Sequence, residues 1–419
     1  MRILGNFLAI FAALVLAAQP AAAQSILRDA ETEALLQDMA APLVEAAGLK
    51  PGNVDIVLVN DPSINAFVAG GQVVYLHSGL IDAADTANEV QGVIAHELGH
   101  ITGGHIIRSS EGMGTATNIS IVSLLLGVAA AVAGAGDAAM GVIMAGQQAA
   151  MGKFLAFTRV QESSADAAGV QILSDAGISG RGSLAFFKKL QNQEFRYGFS
   201  QSDDAAMQQR FERVKAKLFG YLSQPARTLQ QFPESRTDVP ARYARAYAYH
   251  KNAMVDQALA ETQALLELNP SDPYFLELEG QILLESGKPD EALDALRQAT
   301  ELTNSTPLIA SVFGHALIAT EDAAHFDEAE QVLRAAVGRD RLNPFAWYQL
   351  GVVYAQQGDL PRARLASAEQ QVMTRRYAEA IRSAQAAEIG LEAGTPDWIR
   401  AQDIGLQARA ELERQQKRK

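Results

Sequence analysis

The sequence predicts an α+β chain that is mostly helical, with a small β-sheet near its front and an all-helical repeat region behind. Three observations carry this. Val54 to Val59 and Gln72 to Leu76 are short runs rich in Val and Ile, set among the turn clusters Pro51-Gly52, Asn60-Asp61-Pro62-Ser63 and Gly70-Gly71. Downstream of residue 87 the apolar residues recur at helical spacing. In the last 180 residues Ala, Leu, Glu and Gln rise, and Pro240, Pro273, Pro307 and Pro344 follow one another at 33, 34 and 37 residues.

At 419 residues the chain is too long for one compact domain. With 48% apolar and 20% charged residues it has material for real cores, which excludes wholesale disorder and collagen-like structure. The formal net charge of −13, from 35 basic and 48 acidic residues, supplies no basic face for nucleic acid beyond a solvated Lys417-Arg418-Lys419 tail. The absence of cysteine excludes disulfide scaffolds, thiol catalysis and Cys-based zinc knuckles.

From the front, Arg2 is the only charge before Arg28, Phe7 to Ala18 is an apolar run, and Ala21-Ala22-Ala23 offers small residues for cleavage ahead of Gln24. That layout predicts a secretory signal peptide over 1–23 and an exported, acidic mature chain; the run is short for a membrane anchor. Residues 26–48 read as an amphipathic helix, with Leu27, Leu35, Leu36, Met39, Leu43 and Val44 on one face and Gly48 as its stop. The strand at Val54 to Val59 follows, then a hairpin whose arms Asn65 to Val68 and Gln72 to Leu76 flank Gly70-Gly71. Ala87 to Ile107 reads as a helix with Val90, Val93, Ile94, Leu98 and Ile101 along one side.

From Gly112 to Gly136 there are 25 residues without a charge. The length suffices for a transmembrane helix, but five glycines and many alanines make the run weakly hydrophobic, and no basic cluster marks an inner end. A buried helix or a membrane-touching flap is the alternative, and the sequence leaves both open.

The proline period predicts stacked helix pairs over about 240–385 and a capping helix near Asp397 to Glu413. Gly280, Gly314 and Gly351 each lie seven residues after a proline, and Ala292, Ala329 and Ala363 mark the second helix of each pair. Small residues at a fixed crossing let two antiparallel helices approach, with a proline ending each pair, and pairs that cannot bury their own apolar faces stack into a solenoid. Trp347, Leu350, Gly351, Tyr354 and Ala363, and likewise Leu278, Gly280 and Ala292, resemble the tetratricopeptide repeat. The domain expectation is therefore a signal peptide at 1–23, a first domain at 24–230 and a repeat domain at 238–419.

The sharpest chemical signal is His96-Glu97-Leu98-Gly99-His100. On a helix, spacing i, i+4 stacks both imidazoles on one face, suited to holding one metal ion. Glu97 projects roughly 100° around the helix, where it reaches a water on the metal without taking a coordination place. Zinc lowers the pKa of such a water, and Glu97 can take its proton and return it to a leaving amine. Spacing alone admits other divalent ions. A catalytic zinc needs a third protein ligand and one open position. His105 is nearest in sequence, but Gly103-Gly104 ends or bends the helix before it. Glu162, on the helical segment Arg159 to Leu173, is the better candidate, and Asp166 one turn on can hold a ligand imidazole through its ring N–H.

Asn65-Ala66-Phe67 with Gly70-Gly71, Gly79-Leu80-Ile81, the His96 to His100 motif with His105, and Arg159-x-Gln161-Glu162-x-x-Ala165-Asp166 together resemble the zinc metallopeptidase family of HtpX and the CAAX prenyl endopeptidase. The signal peptide and the repeats make the chain most similar to the periplasmic BepA-like (YfgC) branch. The resemblance covers about 30–225 for the peptidase and 240–400 for the repeats. It implies a gluzincin-type core with one zinc ion per chain held by His96, His100 and Glu162, Glu97 as general base and Asp166 in support. It further implies that the strand Gln72 to Leu76 adds an extended substrate at the sheet edge, and that Gly112 to Gly152 forms a flap near the site with peripheral membrane contact.

One departure stands out. The branch carries a downstream His-Pro loop that can occupy the fourth zinc position, whereas here no His occurs between His105 and His250. Either that self-inhibitory switch is missing or Asp203 or Asp204 replaces it, and Arg210 or Arg213 could steady a substrate. The expected function is an exported, periplasmic zinc endopeptidase acting on unfolded or misassembled envelope proteins, outer-membrane proteins among them. Its repeats would recruit partners or substrates, the outer-membrane assembly machinery included. Two alternatives remain from the sequence: a repeat-based chaperone or assembly factor with a latent zinc site, and an integral membrane protease that spans with Ile119 to Ala135.

Overall fold

Asp29, not a residue upstream of it, starts the first helix. In a computed structural model that describes residues 25–105, 117–126, 136–191 and 204–417, the Asp29 carboxylate accepts from the Thr32 backbone N–H at 2.8 Å, the capping bond of a helix N-terminus. Helix α1 therefore runs Ala30–Ala46. The residues before it form strand β1 (Ser25–Leu27), antiparallel to β2 (Asp55–Asn60) with Ile26 opposite Val59. The expected helix over 26–48 thus loses its first residues to sheet pairing, because Ser25-Ile26-Leu27 beside an open strand edge gains a ladder that a cap cannot offer. The predicted signal peptide at 1–23 lies outside the described residues.

Strands β3 (Ala66–Ala69) and β4 (Val73–His77) form the expected hairpin, with Ala69 opposite Val73. Gly70 and Gly71 both have positive φ, +65° and +105°, which is why two glycines sit at this turn. The sheet order is β1-β2-β4-β3. Strand β4 is therefore interior, paired in parallel with β2 and antiparallel with β3. This corrects the expectation that Gln72 to Leu76 offers a free edge for substrate: both of its edges are taken, and β3 is the outer strand. The reason is the hairpin itself, whose first arm occupies the edge in question.

Helix α2 (Ser78–Ala83) leads to α3 (Ala87–Thr102), which begins where the Thr86 side chain accepts from the Glu89 backbone N–H. The helix ends at Gly103, and Gly104 then takes φ +64°. A short helix α4 covers 117–126. Helix α5 (Gly136–Asp175) is 40 residues long, so the helix expected from Arg159 starts well upstream of it. Helix α6 (Arg181–Gln191) follows. In α4 the side chains of Ile121, Val122, Leu124, Leu125 and Leu126 are exposed and only Ser123 is buried, so this part of the uncharged run is not a buried helix. No helix among the described residues is long and apolar enough to cross a membrane. Residues 112–116 and 127–135, which fall within the expected flap and span, lie outside the described residues, as do 106–111.

The second half is all α. Helix α7 (Ala205–Leu222) and α8 (Pro225–Gln231) precede four antiparallel pairs: α9 (Val239–Lys251) with α10 (Val255–Leu268), α11 (Pro273–Glu285) with α12 (Pro289–Leu302), α13 (Pro307–Ala319) with α14 (Phe326–Arg339), and α15 (Pro344–Gln356) with α16 (Leu360–Met373). Helices α17 (Tyr377–Gly390) and α18 (Pro396–Lys417) close the array. The periodic prolines open each pair rather than end it. Each sits in the first turn of a first helix, where its fixed φ suits the helix and its missing N–H costs nothing. The small residues behave as expected. A Cβ on Gly280 would come within 2.4 Å of Leu296, and one on Gly314 within 2.5 Å of Leu333, so each pair is in close contact at its glycine.

The described residues form two compact units: 25–27 together with those of 37–191 make one, and 28–36 together with 204–417 make the other. The second unit thus includes the start of α1. There Lys217 of α7, almost fully buried, contacts Asp29 at 2.5 Å and Glu31 at 3.3 Å, and Tyr243 of α9 donates its hydroxyl to Glu31 at 2.8 Å. Arg213 bridges Glu31 and, at 2.6 Å, Asp272. Its expected role in steadying substrate gives way to these ion pairs within the repeat unit.

Candidate metal centre

Two helices build the site, and glycines let them meet. Along α3, His96 and His100 share a face, while Leu98, Ile94 and Val90 on the other side are fully buried. Helix α5 crosses so close that a Cβ on Gly99 would lie 2.6 Å from the Ala165 carbonyl oxygen, and one on Gly169 would lie 3.1 Å from the His96 backbone. The approach leaves no room for larger side chains at these positions, and it places Glu162 and Asp166 beside the two histidines. Helix α6 packs on the same α3: the Gly182 N–H donates to the Asn88 side-chain oxygen at 2.8 Å, and Phe187 meets the His96 ring edge to face with centroids 5.8 Å apart.

Three donors converge. His96 Nε2 and His100 Nε2 are 3.1 Å apart. Glu162 lies 3.5 Å from His96 Nε2 and 3.7 Å from His100 Nε2, through its two carboxylate oxygens. A tetrahedral ion at about 2.0–2.1 Å from each donor needs donors about 3.3–3.4 Å apart, so this triangle fits zinc in size and in chemistry. Among the described residues it is also the one group of three or more His, Asp or Glu donors this close together.

Asp166 and Glu97 adjoin the triangle. Asp166 stands 2.9 Å from His96 Nδ1, the nitrogen turned away from the triangle. The carboxylate lies off the direction of the ring N–H, so this is a contact at ion-pair distance, not an aligned hydrogen bond. Glu97 is buried, at 7% exposure. Burial first, and the Glu162 charge second, raise its pKa to about 7. The His100 imidazole is pushed below the ordinary histidine value by burial and then by His96, which favours the neutral ring that a metal needs.

His105 does not join the triangle. Its Nδ1 lies 3.0 Å from His100 Nδ1, on the far side of that ring, and its own ring is buried. Sequence reasoning weighed His105 as a ligand and did not anticipate this contact, nor that of Phe187. The signal available for His105 was Gly103-Gly104, read as an end or bend of the helix and not as a reversal that folds the next side chain back. Of the proposed replacements for a downstream histidine, Asp204 caps α7 by accepting from the Met207 N–H at 2.9 Å, and Asp203 lies outside the described residues.

Comparison with known proteins supplies the family. The family model described as peptidase family M48 matches residues 27–251, and a tetratricopeptide-repeat model matches 243–307 and 319–372. The chain is 28% identical over 286 residues to the "Beta-barrel assembly-enhancing protease" of Escherichia coli (strain K12), covering 60% of this chain and 58% of that protein. A Yersinia pestis protein of the same name is 26% identical over 360 residues, 77% of this chain and 72% of its own length. The "Metalloprotease LoiP" of Escherichia coli (strain K12) is 31% identical over 173 residues, 40% of this chain and 64% of that one. The chain thus spans less than three fifths of the length of the first of these relatives.

Proposed function

The chain belongs to peptidase family M48, and on that premise we propose that it is an exported, zinc-dependent endopeptidase that hydrolyses unfolded or misassembled envelope proteins. The observation that carries the reading is the triangle of His96, His100 and Glu162 with Glu97 buried beside it. His96 and His100 would hold the ion through Nε2 and Glu162 through its carboxylate, with Asp166 against the far nitrogen of His96. When bound, the ion supplies Lewis acidity that polarises the scissile carbonyl and makes a nearby water more acidic.

Glu97 does the proton work. A carboxylate with a proton affinity near neutrality accepts a proton from the attacking water and gives it up to the departing amine within one cycle. Its burial keeps bulk water from competing for that proton. His100, held neutral, presents a lone pair and no charge.

The relatives named for β-barrel assembly support outer-membrane proteins as the substrate class, and the periplasm as the compartment. The repeats would recruit those substrates or an assembly partner. The exposed apolar side chains of α4, with Met144, Met151 and Leu155 of α5, support peripheral contact of 112–152 with a membrane or an unfolded chain.

The test uses protein beginning at Gln24, in wild-type and Glu97→Gln forms, each loaded with zinc and assayed for metal content. An unfolded model protein is offered with and without a chelator. Cleavage by wild type alone, abolished by chelation, is the expected result. If neither form cuts while each holds one zinc, the chain acts as a repeat-based assembly factor with a latent metal site.

A further inference from the structure

We infer that His105 is a positioning residue for the metal centre, holding the His100 ring in the tautomer and orientation that aim Nε2 at the ion. The inference rests on the metal-site reading above. The geometry that carries it is His105 Nδ1 at 3.0 Å from His100 Nδ1, with the two rings edge to face and centroids 5.0 Å apart.

The chemistry follows from the inventory of imidazole. A neutral ring has one N–H and one lone pair. If His100 gives its Nε2 lone pair to a metal, its proton must be on Nδ1 and needs an acceptor. His105 Nδ1 is at hydrogen-bond distance and can accept if its own proton sits on Nε2. One contact then fixes two tautomers and the tilt of the ligand ring, the service that an outer partner gives a metal-bound histidine. Behind His96 stands a carboxylate, Asp166 at 2.9 Å from Nδ1, at ion-pair distance without an aligned hydrogen bond. The two ligands are thus backed by different chemistry, an anion behind one and a neutral ring behind the other.

The backbone is built for this contact. Gly104 at φ +64° reverses the chain after α3, a conformation costly for any residue with a Cβ. Gly103 has an ordinary φ of −72°, so a left-handed turn is not what requires glycine there. A Cβ on Gly103 would lie 2.4 Å from His105 Nε2 and 2.8 Å from two ring carbons. Glycine leaves the space into which the His105 ring folds, and the ring is buried there at 6% exposure.

The experiment measures zinc affinity of the full chain by competition with a chromophoric chelator, alongside the melting temperature of each metal-free form. His105→Phe keeps the packed ring and removes the acceptor. His105→Asn places an amide oxygen near the position of Nδ1. Gly103→Ala leaves His105 in the sequence and pushes its ring away. Wild type binding one zinc, with His105→Phe and Gly103→Ala each about 10–100-fold weaker and His105→Asn close to wild type, is the expected result. Equal affinity of wild type and His105→Phe overturns the inference and leaves the metal site standing. Losses that are the same in His105→Asn as in His105→Phe assign the residue to packing and overturn it too. Failure of wild type to bind zinc removes the metal-site reading itself, and this inference with it. Should His105→Phe not fold, the contrast between His105→Asn and Gly103→Ala decides.

Discussion

Each unit of this chain holds a cluster of ionisable side chains, one around Lys217 and one around His96, and the two end in opposite states. In the repeat unit, Asp29, Glu31 and Asp272 meet Lys217 and Arg213, so the protein supplies the cations for its own anions. Burial pulls the Lys217 ammonium down, but Asp29 and the groups around it outweigh that and hold its pKa well above the ordinary range. In the peptidase unit, two imidazoles and a carboxylate turn their lone pairs toward one point, and among the described residues the ion-pair partners of Glu162 are those same histidines. The first cluster is finished and serves to hold structure. The second, on the proposed function, is completed by a cation from outside. The difference teaches that gathered ionisable groups mark a candidate site when the described residues supply no cation for them, not when they do.

The largest expected effect breaks the second cluster without touching its ligands. Glu97→Gln lowers the rate of peptide cleavage by about 10²–10⁴-fold, with zinc content and melting temperature unchanged. A variant that keeps its activity, measured on the same metal-checked protein, would remove Glu97 from the chemistry.

Breaking the first cluster costs stability instead. Lys217→Met leaves Asp29 and Glu31 short of a cation in a buried place, and urea unfolding is expected to show a loss of about 3–5 kcal/mol. The comparison sharpens if the triple change of Lys217→Met with Asp29→Asn and Glu31→Gln recovers much of that loss, since the penalty lies in the uncompensated charge.

Helix contacts come next. Gly99→Ala and Gly280→Ala each place a Cβ at or below 2.6 Å from a neighbouring element, whereas Gly351→Ala meets nothing nearer than 3.4 Å. The first two are expected to lose about 1–3 kcal/mol by denaturant unfolding, and the third to be near neutral. Only Gly99→Ala should also weaken zinc binding, because only it separates His96 from Glu162.

The last effect is on pH dependence. Burial, with Asp29 and Glu31 adding to it against Lys217, raises the Glu277 carboxyl to about 8. A folded-state pKa above the unfolded value means that the folded form holds the proton more tightly. Its contribution is therefore full at pH 4 and is lost as pH rises toward and through 8. Glu277→Gln should leave the melting temperature at pH 5 nearly unchanged and raise it at pH 9, by about 2–4 °C for each kcal/mol restored.

Much of the architecture was legible in the chain itself. The hairpin at Gly70-Gly71 was readable because a tight turn needs positive φ, and the helix pairs because glycine and alanine recur where helices touch. The motif residues His96, Glu97 and His100 were readable because one helix fixes their spacing. What failed did so for nonlocal reasons. Ser25 to Leu27 carries a pattern that a helix could continue, and the partner strand that claims it lies more than thirty residues away. The free edge of the sheet was assigned to the wrong arm of the hairpin, because strand order is a matter of pairing and not of local pattern.

By itself, then, the sequence determined the elements, the repeat period and the donors that one helix can align, because these depend on contacts within a few turns. Spacing alone left Glu162 one of many carboxylates, the resemblance singled it out, and the tertiary structure brings it to the histidines. Helices contain many Glu and Asp pairs four residues apart, and Glu162 and Asp166 differ from the rest only through the crossing at Gly99, Ala165 and Gly169. The tertiary structure also decided that His105 backs His100 from behind. The chain reversal at Gly104 and the space over Gly103 carry that ring to a nitrogen that no spacing rule along the helix would have matched with it.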